Sequence, residues 1–193
     1  MSTKEKFLNV PNALSLYRLL SVPVILFLTY QGREQIVGIL IAISLITDML
    51  DGIIARAFKL QTKIGALLDS WADMGIFACS FYAIAKFKWH QLQHYSVGLI
   101  IFFVLLILSY AAVFIKFGKL IGLHTYLFKL TGYLQGIFII LLFLVAFYPW
   151  LFYMALFVGC IACIEEIIII KMLKEPRMNV KGLYWLLKDK QAL

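Results

Sequence analysis

The stretch Thr47–Asp73, TDMLDGIIARAFKLQTKIGALLDSWAD, holds four of the ten acidic residues in a chain of 193. Asp48 and Asp51 stand three residues apart and Asp69 and Asp73 four apart, so each pair projects from one face of a helix. Apolar sequence flanks them on both sides. The chain is 63% apolar with a mean hydropathy of +0.93, well above an ordinary soluble domain. Long apolar runs recur at 12–30, 34–56, 64–85, 95–115, 125–147 and 149–173, each near the ~20 residues that cross a bilayer as a helix. The expectation is an all-α integral membrane protein with six transmembrane helices behind a short amphipathic N-terminal segment. It forms one domain over 1–193, with a polar tail from about Lys174 that is too short to be a second. The aspartate pairs then fall on the second and third helices. No cleavable signal peptide is predicted, because the first apolar run is long and no small-residue cleavage site follows it.

The basic residues predict the orientation. Fifteen of the eighteen Lys and Arg lie at one set of span ends, against Arg33, Lys86 and Lys88 at the other, which places both termini in the cytosol. The net charge of +8 reads as a topology signal and an attraction for anionic lipid rather than as nucleic-acid binding, since no basic, aromatic-interleaved soluble module is present. Cys79, Cys160 and Cys163 lie in apolar spans, and Cys160-Ile-Ala-Cys163 reads as small residues for helix packing rather than as a redox pair. Neither a disulfide nor a zinc site is expected.

Counted back from Arg56, Asp48 lies ~12 Å into its helix. Ionised groups at that depth cost several kcal/mol each unless they face a hydrated cavity and are neutralised. The basic residues close by in sequence, Arg56, Lys59 and Lys63, are too few. Paired carboxylates suit hard divalent cations, Mg²⁺ or Mn²⁺, and four can hold two ions at the ~3.5–4 Å separation of two-metal phosphoryl chemistry. Gly52 and Gly65 leave room for close approach, Ala55 keeps the same groove open, and Arg56 offers a planar fork to a phosphate. The competing reading, acids that only fix helix packing by ion pairing, fits one aspartate better than four in this arrangement.

Residues 48–73 read D-x-x-D-G-x-x-A-R, eight residues, then G-x-x-x-D-x-x-x-D, with Asp48, Asp51, Gly52, Ala55, Arg56, Gly65, Asp69 and Asp73 at the fixed positions. This resembles the signature of the CDP-alcohol phosphatidyltransferase family. The opening NVPNALSLYRLLSVP, Asn9–Pro23, looks like the N-terminal segment of bacterial phosphatidylglycerophosphate synthases. The resemblance implies transfer of the phosphatidyl group from CDP-diacylglycerol to a small polar alcohol, with release of CMP, by a homodimer in the bacterial inner membrane whose site faces the cytosol. It further implies that Asp48, Asp51 and Asp69 hold two Mg²⁺ or Mn²⁺ ions, with Asp73 as fourth ligand and general base. Asp48, Asp51, Gly52, Ala55, Arg56, Gly65 and Asp69 would bind the cytidine diphosphate.

Glycerol 3-phosphate is the first choice of acceptor, on clues that conflict. Met74 stands where phosphatidylglycerophosphate synthases usually have lysine, and LDS-x-AD is closer to phosphatidylserine synthases, while the opening segment points to glycerol 3-phosphate. Serine, inositol and inositol phosphate are the alternatives. The segment Lys116–Gly132 gathers Lys119, His124, Thr125 and Lys129 where a polar acceptor would enter, and a solvated positive-inside loop is the competing reading. Glu165 and Glu166 lie inside the last span; an ion pair with Lys129 or an N-terminal basic residue is favoured over catalysis. Tyr17, Trp71, Trp89, Tyr148 and Trp150 read as interfacial aromatics, and His90 and His94 fall on the opposite side from the aspartates. A cation transporter is the alternative of another class, but transporters place acids near the midplane in paired halves. Here they gather near one end.

Overall fold

In hydrocarbon a backbone has to satisfy its own N–H and C=O groups, and a helix does so within one segment. In the computed structural model each long apolar run is accordingly a helix. Residues 9–58, 62–118, 123, 125–173, 175 and 180–191 are described, without the side chains of 52, 53, 55–57, 63, 66 and 189–191. The order is α1 (Val10–Tyr30), α2 (Glu34–Ala57), α3 (Lys63–Ala83), a π-helical turn (Ile84–Lys88), α4 (Trp89–Leu92), a 3₁₀ turn (Gln93–Tyr95), α5 (Ser96–Phe117), α6 (Tyr126–Leu144), α7 (Pro149–Met172) and α8 (Leu183–Gln191). No strand occurs among the described residues.

The six apolar runs coincide with α1, α2, α3, α5, α6 and α7. Among the described residues, four helical stretches are long and apolar enough to cross a membrane: Val10–Tyr30, Leu67–Phe117, Tyr126–Leu144 and Pro149–Met172. The second joins α3 to α5 through the short turns, and α2, which carries Glu34, Asp48, Asp51 and Arg56, is not among them. Large apolar side chains such as Phe27, Phe77, Ile115 and Phe157 face outward, a surface that water does not tolerate and lipid does. The chain is an integral membrane protein.

Two compact units form, one of Met1–Gln91 with Ile139–Ala146, the other of Leu92–Phe138 with Phe147–Leu193. In the first, α1 packs against both α2 and α3. Asn9 caps α1 by accepting from the Asn12 N–H at 2.9 Å, and Pro11 occupies the first turn, where its missing N–H costs nothing. Ile25, Val37, Ile41, Ile76, Cys79 and Ala83 form the core of this unit, with Phe143 packed against it. Two of the three minority basic residues are tied down here. Lys88 pairs with Glu34 at 2.7 Å, and Lys86 donates to the Tyr30 carbonyl at 2.9 Å.

In the second unit α5 packs on α7. Gly118, at φ 67°, ends α5 in the left-handed conformation that glycine adopts without strain. Lys116 reaches across to the α7 carbonyls of Ile170 at 2.8 Å and Lys171 at 3.0 Å, placing a cation at the negative end of that helix. The polar tail contains α8, which sequence reading left as a tail. Its Leu186 is buried with Val113, Leu123, Ile169, Ile170 and Leu173. The three cysteines are free thiols.

Candidate functional site

The site belongs to the first unit and starts from α1. Its buried face runs Asn12, Ser15, Arg18, Ser21, then Ile25 and Thr29, so its first half offers polar side chains to α2 and α3 at helical spacing. Asn12 donates to Thr62 Oγ1 at 3.3 Å, and Thr62 in turn caps α3 by accepting from the Gly65 N–H at 2.9 Å. A Cβ at position 65 would collide with both side chains. Gly65 therefore serves the approach of α1 to the start of α3, where sequence reading assigned its space to the ligand.

Arg18 sits at the centre. Its Nη1 donates to Asp48 Oδ1 at 2.5 Å and to Asp73 Oδ1 at 2.6 Å. Its Nη2 donates to Asp51 Oδ2 at 2.9 Å and to Asp69 Oδ1 at 2.5 Å. Each terminal nitrogen thus bridges one carboxylate of α2 and one of α3. Ser15 donates to Asp51 Oδ2 at 3.4 Å. The arginine side chain is 1% exposed and that of Asp51 6%, whereas Asp48 and Asp69 are each 43% exposed and Asp73 51%. The cluster is sealed by protein on the α1 side and open on the other.

The four aspartates converge as their spacing predicted, about two turns from the linked ends of α2 and α3. The expectation that too few cations lie near them needs correction. Arg18 was counted only among the topology charges, yet it contacts all four acids. The polar stripe at 12, 15, 18 and 21 marks the face that α1 turns to its neighbours, since polar and small residues gather where membrane helices pack.

Asp48, Asp51 and Asp69 each present a carboxylate oxygen, and the three atoms lie within 4.8 Å of one another. An oxygen-only donor set of this span fits a hard divalent cation. The chain matches the family model described as CDP-alcohol phosphatidyltransferase over residues 8–162, a range that contains the whole cluster and most of both units. The chain belongs to the CDP-alcohol phosphatidyltransferase family. Similar curated members are the "CDP-diacylglycerol--glycerol-3-phosphate 3-phosphatidyltransferase" of Rickettsia typhi, 35% identical over 74 residues, which are 37% of this chain and 42% of the relative. That of Salmonella typhimurium is 30% identical over 81 residues, 40% of this chain and 44% of the relative. The match spans less than half the length of these curated relatives. No solved structure matches the chain.

Of the other signature positions of the family, Gly52, Ala55 and Arg56 lie in α2, and their side chains fall outside the described part of the structure. Trp71, between Asp69 and Asp73, is exposed, as expected of a residue that points away from the acids. Among the acceptor candidates, Lys119 and His124 lie outside the described residues. Thr125 is buried and caps α6 by accepting from the Phe128 N–H at 3.3 Å; Lys129 is exposed, with its Nζ 5.7 Å from the centre of the Tyr126 ring.

Neither Glu165 nor Glu166 pairs with a basic side chain among the described residues, which include Lys129 but not Lys4 or Lys6. Glu166, 4% exposed, accepts from the Ser109 hydroxyl and from the Leu123 backbone amide. Glu165 Oε1 accepts from the Leu183 N–H at 2.9 Å, at the start of α8. Neutral donors from neighbouring backbone and side chain take the place that sequence reading gave to lysine.

Proposed function

We propose that this chain transfers the phosphatidyl group of CDP-diacylglycerol to a small polar alcohol, with glycerol 3-phosphate as acceptor and CMP as the leaving product. The observation that carries the reading is the convergence of Asp48, Asp51, Asp69 and Asp73 on one focus, open on the side away from α1. The family membership and the printed activity of the relatives support it. Asp48, Asp51, Asp69 and Asp73 hold two Mg²⁺ or Mn²⁺ ions. Bound there, the ions supply positive charge against the diphosphate and the departing CMP.

The protein's own part is positional. Gly52, Ala55 and Arg56 line the cytidine diphosphate site with Asp48, Asp51 and Asp69. Asp73, the most exposed of the four acids, accepts the acceptor's hydroxyl proton as the oxygen bonds to the β-phosphorus and the bond from that phosphorus to CMP breaks. Lys119, His124 and Lys129 are the candidates for the acceptor, and a pair of lysines suits a phosphate better than an uncharged polyol.

Six spans, cytosolic termini and a site at the cytosolic face of a bacterial inner membrane let a soluble nucleotide leave while the acyl chains stay in lipid. The protein acts as a homodimer, and residues 1–193 act as one membrane domain, in keeping with a family match that runs through both units. Purified protein given CDP-diacylglycerol and Mn²⁺ with a panel of glycerol 3-phosphate, serine, inositol and inositol phosphate tests this by CMP release. Release with glycerol 3-phosphate alone is the expected result; no release with any acceptor overturns the reading.

A further inference from the structure

We propose that Arg18 is the resident cation of the aspartate site when no divalent ion is bound, and that ion loading is an exchange against its guanidinium. The inference rests on the reading of the aspartates as cation ligands and adds what balances them before an ion arrives. The two terminal nitrogens occupy two bridging positions, each between one α2 and one α3 carboxylate at 2.5–2.9 Å. An ion bonded to those same oxygens at the ~2.0–2.1 Å of Mg²⁺ would overlap the nitrogens, so one set of oxygens holds either cation but not both.

The details of the arginine fit this role. A guanidinium has five N–H donors in a fixed fork, and here the terminal nitrogens serve the aspartates while the Nε–H is buried without a hydrogen-bond partner among the described residues. The group is placed for the acids at the expense of its own remaining donor. One positive charge also leaves four carboxylates with a large negative excess, whereas two divalent ions balance them. The buried arginine can therefore hold the four carboxylates together and still yield to stronger cations.

The test compares the parent with Arg18→Gln, Arg18→Lys and Arg18→Ala in detergent. It measures Mn²⁺ binding from the spin-resonance signal of free Mn²⁺, and thermal stability in EDTA. Removing a charge at contact distance from the ligands should tighten Mn²⁺ binding at least about tenfold in Arg18→Gln, lower its Tm in EDTA, and enlarge the rise in Tm that Mn²⁺ produces. Arg18→Lys keeps the charge without the fork and should fall between, which serves if the Gln variant does not fold. Millimolar ethylguanidinium should raise the Tm of Arg18→Ala in EDTA and weaken its Mn²⁺ binding, with no effect on the parent.

Unchanged or weaker Mn²⁺ binding in Arg18→Gln or Arg18→Lys, or an Arg18→Ala protein indifferent to ethylguanidinium, overturns the exchange. If the parent releases CMP from CDP-diacylglycerol in that event, the proposed reaction survives and the exchange alone falls. Tightened Mn²⁺ binding in a protein that transfers to no acceptor would remove the proposed reaction and leave the exchange standing.

Discussion

Both units of the chain carry acids on apolar helices, and they treat them in opposite ways. In the first, four carboxylates from two helices meet on one guanidinium, and three of the four remain 43–51% exposed. In the second, Glu166 is 4% exposed and its donors are a serine hydroxyl and a backbone amide, while Glu165 accepts from the first N–H of α8. An intramembrane acid is a site by default, but the default fails in α7. The difference lies in the partners. Neutral donors fixed by the fold leave a carboxylate with nothing to exchange, whereas a cationic partner behind carboxylates that are open on their other side leaves them able to take up another cation.

The largest effect should separate the two regions outright. Asp48→Ala and Asp51→Ala should each lower CMP release by at least about a thousandfold and lose Mn²⁺ binding, because a metal ligand acts in both the ground state and the transition state. Excess EDTA should abolish parent activity in the same assay. Glu166→Gln, which keeps one oxygen for a donor and offers an NH₂ that the Ser109 hydroxyl can accept from, should stay within about threefold of the parent. Full turnover in EDTA, or a Glu166→Gln protein as inactive as Asp48→Ala, would erase the contrast.

Asp73→Asn divides the first region internally. The amide cannot accept the proton, so turnover should fall by about 10²–10⁴. Binding of CDP-diacylglycerol, followed by equilibrium titration, should stay near that of the parent. Parental turnover would require a different proton acceptor.

How much of this was legible in the sequence follows from the range of each interaction. Membrane helices are set by local composition, and the six apolar runs match α1, α2, α3, α5, α6 and α7 within a few residues. The aspartates were legible because spacing of three and four on a helix fixes a shared face. Arg18 was only half legible: the polar stripe at 12, 15, 18 and 21 marks its face, but which helices lie alongside is a property of packing, and a tally of topology charges does not set this arginine apart. Gly65 was read as space for a ligand, although the space is filled by Asn12 and Thr62. The partners of Glu166 are Ser109 and Leu123, a residue on α5 and a connector amide, and no spacing within α7 announces either. Interactions within one helix were readable; those that depend on which helix lies alongside were not.

A smaller effect tests the second region for what it does instead. Glu166→Ala leaves the Ser109 hydroxyl and the Leu123 amide without their acceptor, and a buried donor without a partner costs about 1–3 kcal/mol. The expected outcome is a lower Tm with CMP release per folded molecule near that of the parent. A variant of parental Tm that has lost activity would move Glu166 from the scaffold into the site.

The smallest effect concerns two lysines of the second unit. Lys116 is spent on the α7 carbonyls of Ile170 and Lys171, so Lys116→Ala should lower Tm slightly and leave the kinetics alone. Lys129 is exposed, and its charge lies 5.7 Å from the Tyr126 ring centre, a weak contact at an exposed site that leaves the ammonium available to an anion. If glycerol 3-phosphate uses it, the contact is made equally in the ground and transition states, and Lys129→Ala should raise the acceptor KM by about two- to tenfold with kcat and the KM for CDP-diacylglycerol nearly unchanged. Because an exposed charge pair is screened, the same KM should rise with salt in the parent and lose part of that dependence in the variant. An unmoved acceptor KM would return Lys129 to the topology signal, and the case for a phosphorylated acceptor would then rest on Lys119 and on the relatives' printed activity.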